Sequence, residues 1–324
     1  MPGLSEAQLQ QFADEGYLVV EDVLDPARDF APVMDEYRAI LDGIANTLST
    51  EGVISSRYET LPFAERLTEI CAESKQVLSQ HFDFSLPQKG VRFDTPIYTG
   101  PAMFRVLSNA HLLDLVASVI GPEIFSCPVQ HTRMKLPKRA VADPANGLIA
   151  KIPWHQDNGV LMPEADESSI LTVWMPVTEA TVENGCMQVI PRSHGRELFD
   201  HCPGGPGGLG IPDALLPPGD PVALPMKPGS VLLMTQSTVH SSLDNVTPDQ
   251  VRISFDLRFQ PIGQPTGRPA FAQAGFVARS ATHPELVVRD PAVWSRHWLA
   301  VRDQLAADED PAYNRWRANA AACA

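Results

Sequence analysis

The chain has 324 residues, 44% apolar and 20% charged, a balance that suits a globular core and excludes an intrinsically disordered chain. Its 39 acidic and 25 basic residues leave a net charge of −14, which repels phosphate backbones and anionic lipid and argues against nucleic acid or a membrane as partner. No charge-free apolar run approaches the roughly 20 residues of a membrane helix, and the opening MPGLSEAQLQQF lacks the pattern of a signal peptide. Five cysteines (Cys71, Cys127, Cys186, Cys202 and Cys323) are scattered, odd in number and never in a CxxC pair. Neither a disulfide framework nor a zinc finger is expected from them, and the expected location is the cytoplasm.

In chain order, Ser5 opens a capping box with Gln8, Leu9 and Phe12 share a helical face, and Gly16 can close that helix. Residues 17–20 read as a short strand. From Phe30, the positions Val33, Met34, Tyr37, Ile40, Leu41, Ile44 and Leu48 follow helical spacing. A further helix is expected over 63–82, and another over 110–120, stopped by Gly121-Pro122. Beyond Ile124 the texture changes to β-prone runs at 129–136, 149–155, 170–177, 186–191, 231–234 and 251–259. Turn dipeptides such as Asn184-Gly185 and Pro228-Gly229 punctuate them. Between Pro203 and Gly229, fifteen of 27 residues are Gly or Pro, which marks a lid or binding loop and not a helix. The expected organisation is one domain over 1–324. It has a mostly helical part (1–123), a β-sandwich or small barrel (124–262) carrying the 203–229 loop, and a C-terminal extension (263–324).

The sharpest chemical feature is Trp154-His155-Gln156-Asp157-Asn158. On a strand or its frayed end, His155 and Asp157 project to one face, so an imidazole and a carboxylate can converge on one ion. Alone such a triplet is common. A second segment, Thr238-Val-His240-Ser-Ser242, followed by Arg252, completes a more telling set. Two histidines and one carboxylate leave three positions of an iron(II) ion open. 2-Oxoglutarate needs two of these and dioxygen the third, and a buried arginine such as Arg252 suits the cosubstrate's far carboxylate. Alternation in the last strand puts Arg252, Ser254, Asp256 and Arg258 on one face and Ile253, Phe255, Leu257 and Phe259 on the other. The polar face suits either solvent or a cavity that holds an anion.

The segments FADEGYLVVEDVL, WHQDN, VWMPVTEATVENGCMQVIPRSHG, KPGSVLLM and VHSSLDN followed by VRISFDLRF resemble, in order, the phytanoyl-CoA dioxygenase family of iron(II)- and 2-oxoglutarate-dependent oxygenases. The resemblance covers most of residues 9–260 and implies a double-stranded β-helix (a cupin-like jelly roll, mainly β) with flanking N- and C-terminal helices. It implies His155, Asp157 and His240 as iron ligands and Arg252 as the anchor of 2-oxoglutarate. Ser242 and Trp174 match secondary contacts to the cosubstrate, and His131 and Lys135 lie on an upstream strand bordering it. The step of 12 from His240 to Arg252 is one residue longer than the resemblance leads one to expect, and an extra turn residue near Thr247-Pro248-Asp249 accounts for it. The implied reaction is hydroxylation, or another oxidation, of a small metabolite with release of succinate and carbon dioxide. A metalloenzyme on the same fold that does not use 2-oxoglutarate, or a non-catalytic binding protein, are the alternatives.

Other conspicuous residues read as structural. His194 belongs to a turn, and His81, His111, His201, His283 and His297 have packing or surface roles. Trp294, Trp298 and Trp316 belong to a helical C-terminal region, with a substrate lid as the second reading. Asn158 reads equally as a substrate contact or a support for Asp157.

Overall fold

Ser5 caps the first helix as expected, its hydroxyl accepting from the Gln8 amide while the Gln8 side chain accepts from the Ser5 amide. The computed structural model describes residues 3–141, 151–195, 197–205, 208–307, 313, 315–316 and 323. Helix α1 (Glu6–Glu15) ends at Gly16 in the left-handed region, and β1 (Tyr17–Val20) follows. Helix α2 (Ala31–Thr50) buries Val33, Tyr37, Leu41, Ala45 and Leu48 along one stripe. Helix α3 (Phe63–Ser74) is shorter than the expected 63–82 span. Lys75 takes a left-handed backbone (φ 58°) and ends it, and Ser79–Phe82 forms a separate 3-10 turn. Helices α4 (Pro101–Leu107) and α5 (Ala110–Ile120) follow. The stretch Pro101–Ile120 is long and apolar enough to cross a membrane, but it breaks at Ser108-Asn109 and packs its apolar side into the core.

The strands are β2 (Ile124–Lys135), β3 (Leu171–Pro176), β4 (Met187–Val189), β5 (Cys202–Gly205), β6 (Gly208–Gly210), β7 (Val222–Leu224), β8 (Val231–Thr235), β9 (His240–Ser242), β10 (Arg252–Pro261) and β11 (Phe276–Arg279), and the last helix is α6 (Pro291–Ala307). A six-stranded antiparallel sheet runs β1-β8-β3-β10-β2-β11, and a three-stranded sheet runs β7-β4-β9. Together they form the expected jelly roll with flanking helices. The main apolar core, which includes Tyr37, Leu67, Phe82, Met103, Leu112, Phe255 and Trp298, lies between the large sheet and the helices. A second cluster around Trp174, Met187, Leu224 and Leu232 joins strands of the two sheets.

Three further sequence expectations need correction. Residues 149–150 lie outside the described residues, and 151–155 form no strand beyond a single bridge between His155 and His240. Within 203–229, where residues 206–207 lie outside the described residues, the chain makes the short strands β5, β6 and β7. Cys202 and Cys323 form a disulfide across 121 residues of sequence, a pairing that depends on where the tail returns and that spacing does not disclose. Cys71, Cys127 and Cys186 are free and buried.

The alternation of β10 is as expected. Ile253, Phe255, Leu257 and Phe259 join the main core, with Phe255 meeting Phe30 and Phe84 edge-on. The opposite face puts Arg252 beside Lys135, Ser254 beside Arg133, Asp256 beside both His131 and Trp174, and Arg258 beside Thr172. The interior of the roll is therefore lined with polar and ionic groups.

Candidate active site

His155 and His240 face each other through two backbone hydrogen bonds of 3.0 Å, which brings their imidazole centroids to 4.2 Å. Each ring uses Nδ1 to bind a carbonyl at 2.9 Å, Pro153 O for His155 and Thr238 O for His240. Nδ1 then carries the proton, and Nε2 keeps a lone pair turned toward Asp157. Asp157 opens a 3-10 turn, Asp157–Val160, and its Oδ1 lies 3.7 Å from Nε2 of His155 and 4.0 Å from Nε2 of His240. Ligand atoms about 2.1 Å from one ion cannot stand more than about 4.2 Å apart, and both separations satisfy that limit. All three side chains are buried, and their ligand atoms lie within 4.8 Å of one another. Burial, then the neighbouring His240, holds His155 well below its ordinary pKa, in the neutral form that binds metal.

Burial, the largest single cause, opposes ionisation of Asp157, but the Arg258 guanidinium, the two histidines and the Thr172 hydroxyl together outweigh it and lower the carboxyl below its usual range. Arg258 Nη2 donates to Oδ1 and the Thr172 hydroxyl donates to Oδ2, so both carboxylate oxygens are held. The register of β2 against β10 shifts between Asp256 and Arg258, and there Arg258 Nη1 donates to Val129 O at 2.6 Å. Asp256 lies 3.6 Å from Arg258 and 3.9 Å from Arg133.

Arg252 is 1% exposed, with its guanidinium over the Trp174 ring at 5.5 Å and Nη1 donating to Ser254. Its Nε has no partner, and burial, then Arg133, pushes its pKa down to about 9. Lys135, directly across the strand, donates to Leu243 O, and burial followed by Arg252 pushes it down to about 6. A buried cation without a carboxylate is costly, and an anionic ligand is what offsets that cost. Ser242 is buried on the strand that begins with His240, its hydroxyl accepting from the Ile152 amide at 3.2 Å. Both ligand types thus fit the residues present: a metal at the His-Asp-His cluster and an anion at Arg252.

A cavity of about 570 Å³ opens beside His155, lined by His131, Arg133, Arg258 and Arg268 among apolar side chains. His131 lines it, its Nδ1 engaged by Asp83 at 2.8 Å, and Asp83 also accepts from the Thr132 amide. Sequence reasoning missed Thr172, Asp83, Arg133 and Arg268, and took Arg258 no further than strand alternation. Period-two spacing of His131, Arg133 and Lys135 on β2 was the available signal; nothing local marks Arg268. His194 sits at an exposed turn against Ala13 O, away from the site, as expected. His201 is fully buried, accepts the Gln156 amide at 2.9 Å and stacks on Trp316, steadying the segment between the two ligands. Trp294 and Trp298 pack in the core, as expected. The Asn158 amide donates to Gln236 O at 2.9 Å, an anchor for the turn that Asp157 opens.

A jelly roll with two histidines and one carboxylate converging in its interior defines a class, the non-haem iron(II) oxygenases. Residues 12–254 match the sequence model of the phytanoyl-CoA dioxygenase family, and the chain belongs to that family. It is accordingly a 2-oxoglutarate-dependent oxygenase, with iron and 2-oxoglutarate as its cofactor and cosubstrate. Phytanoyl-CoA dioxygenase domain-containing protein 1 of Bos taurus is 25% identical over 267 residues, 76% of this chain and 87% of that protein. A phytanoyl-CoA dioxygenase of Arabidopsis thaliana is 23% identical over 256 residues, 75% of this chain and 84% of that protein. Among solved structures, the apo form of the non-heme monooxygenase ThoJ superposes with a TM-score of 0.54 at 18% identity, over 92% of this chain and 96% of that one, a likeness of fold.

Proposed function

We propose that this enzyme hydroxylates a small organic molecule bound in the cavity beside His155, with His155, Asp157 and His240 as iron ligands and Arg252 as the anchor of 2-oxoglutarate. The observation that carries this reading is Arg252, a guanidinium 1% exposed, without a carboxylate in contact among the described residues, on the same inner face as Arg258 and Asp157. When bound, iron and 2-oxoglutarate activate dioxygen, one oxygen atom reaching the substrate and the other leaving in succinate as carbon dioxide is released. The protein's own groups prepare that chemistry. Carbonyls of Pro153 and Thr238 fix the tautomers of the two histidines, and Arg258 and Thr172 hold Asp157 ionised and in one orientation. Trp174 and Ser254 orient Arg252 toward the interior. Ser242 and Trp174 serve as secondary contacts to 2-oxoglutarate, with His131 on the strand bordering it and Lys135 across from Arg252. A metalloenzyme that does not use 2-oxoglutarate would have no need of Arg252.

Anaerobically iron-loaded protein given 2-oxoglutarate and air is expected to form succinate slowly without substrate, and Arg252→Ala is expected to lose it. A 2-oxoglutarate titration of the iron(II) charge-transfer absorbance gives the second readout. Absence of that band in the wild type, despite bound iron, would overturn the assignment of the cosubstrate.

A further inference from the structure

Among the described residues, the ionic groups facing the interior do not balance: the four guanidinium groups of Arg133, Arg252, Arg258 and Arg268 stand against three carboxylates, those of Asp83, Asp157 and Asp256. Lys135 is already held by Leu243 O and His131 by Asp83, and burial, foremost, lowers the pKa of both. Iron(II) and doubly ionised 2-oxoglutarate cancel each other, and one positive charge remains. Asp157 and Asp256 flank Arg258, and Asp256 also faces Arg133. Arg252 belongs to the cosubstrate in the reading above. Arg268 is the remaining cation.

Arg268 is 1% exposed and lines the same cavity as His155 and Arg258. Its Nη2 donates to Val160 O at 2.8 Å, its guanidinium lies over the Phe271 ring at 5.7 Å, and its Nε has no partner. Those contacts orient the group without supplying negative charge, and no carboxylate pairs with it among the described residues. Burial, then Arg258, pushes its pKa down to about 10, as befits an uncompensated cation. The rest of the wall sets Val77, Leu86, Val129, Ile152, Val160 and Leu209 beside Ser79, Gln80 and Gln88. A mostly apolar wall with one guanidinium that no described carboxylate pairs is complementary to a mostly apolar body with one negative charge.

We propose that Arg268 anchors a carboxylate of the substrate, and that the substrate is an apolar monocarboxylic acid; this rests on the oxygenase reading above. The anchor explains why a fully buried arginine is kept beside a second one. The acid completes the charge balance of the loaded site, and its apolar part lies along the aliphatic wall. A phosphate monoester, with close to two charges, would overfill the single positive excess.

The test is calorimetric binding to protein loaded with manganese(II) and 2-oxoglutarate without oxygen. The probes are hexanoate, octanoate and decanoate, each beside its primary amide. At least one acid is expected to bind roughly tenfold or more tighter than its amide. The preference is expected to vanish in Arg268→Met and to return in part in Arg268→Lys, with 2-oxoglutarate affinity held within about twofold throughout. Equal binding of acids and amides, or no binding, by a wild type that takes up 2-oxoglutarate overturns the anchor alone. Loss of 2-oxoglutarate affinity in Arg268→Met, with acid preference intact, assigns Arg268 to the cosubstrate and also overturns it. Failure of the wild type to bind 2-oxoglutarate would instead strike the oxygenase reading. The acid and amide comparison needs the wild type only, so it stands even if a variant does not fold.

Discussion

Asp157 Oδ1 serves Arg258 and the two histidines at once, taking the guanidinium's hydrogen bond while lying 3.7 and 4.0 Å from their Nε2 atoms. Removing one partner of a buried ion pair leaves an uncompensated charge, which costs about 3–5 kcal/mol. Arg258→Met is therefore expected to lower metal-free stability by about that amount, read from urea denaturation. Added metal gives Asp157 a new positive partner, so the loss is expected to shrink in the loaded variant. Arg258→Lys keeps a charge but cannot reach both Asp157 and Val129 O with a planar fork, and a smaller loss is expected.

His201 gives the protein an acid-side weakness. Burial, the largest cause, pushes its pKa from 6.5 down to about 4, so it stays neutral in the folded state while the unfolded chain takes up a proton near 6.5. Between those values the unfolded state binds more protons, and stability falls as pH falls. The stabilisation is complete above about pH 6.5, and the loss levels off below about pH 4 at about 3 kcal/mol. His201→Gln retains an acceptor for the Gln156 amide but does not titrate. Its stability is expected to fall less over that window, measured by denaturation at stepped pH.

The Cys202–Cys323 disulfide holds a tail that covers the metal-site turn. Trp316 Nε1 donates to Gly159 O at 2.5 Å, and Arg315 donates to Leu161 O at 2.9 Å and pairs with Asp166. Reduction, or Cys202→Ser, is expected to cost about 2–5 kcal/mol. The local signs are faster tryptic cleavage after Arg315 and a red shift of tryptophan emission as Trp316 leaves His201. Both are read with and without dithiothreitol.

The legible part of this molecule was the part with local periodicity. The stripe of α2, the capping of α1 and the alternation of β10 follow from side-chain spacing alone, and the His-x-Asp triplet announced itself. The β-prone run was read from Val129, whereas in the structure strand β2 starts at Ile124 and passes Pro128, which cannot donate to a ladder, through an irregular register. The 63–82 helix failed because its stop is a left-handed lysine, where a glycine signal would be sought. Arg268 and the disulfide were beyond reach for a different reason. Each depends on segments more than 100 residues apart meeting in space, as Arg268 meets Val160 and Cys323 meets Cys202.

The same disulfide turns residues 202–323 into a covalent ring. His240, Arg252, Arg258 and Arg268 belong to that ring, whereas His155, Asp157 and Arg133 lie on the open strand that precedes it. The metal centre is thus a joint between two topologically different pieces of chain, one histidine coming from the loop of the lasso and a histidine with its aspartate from the rope. Neither piece holds a full ligand set. In the oxidised protein, tight metal capture therefore becomes a reporter of rope docking on ring, the step that joins the two halves of the roll.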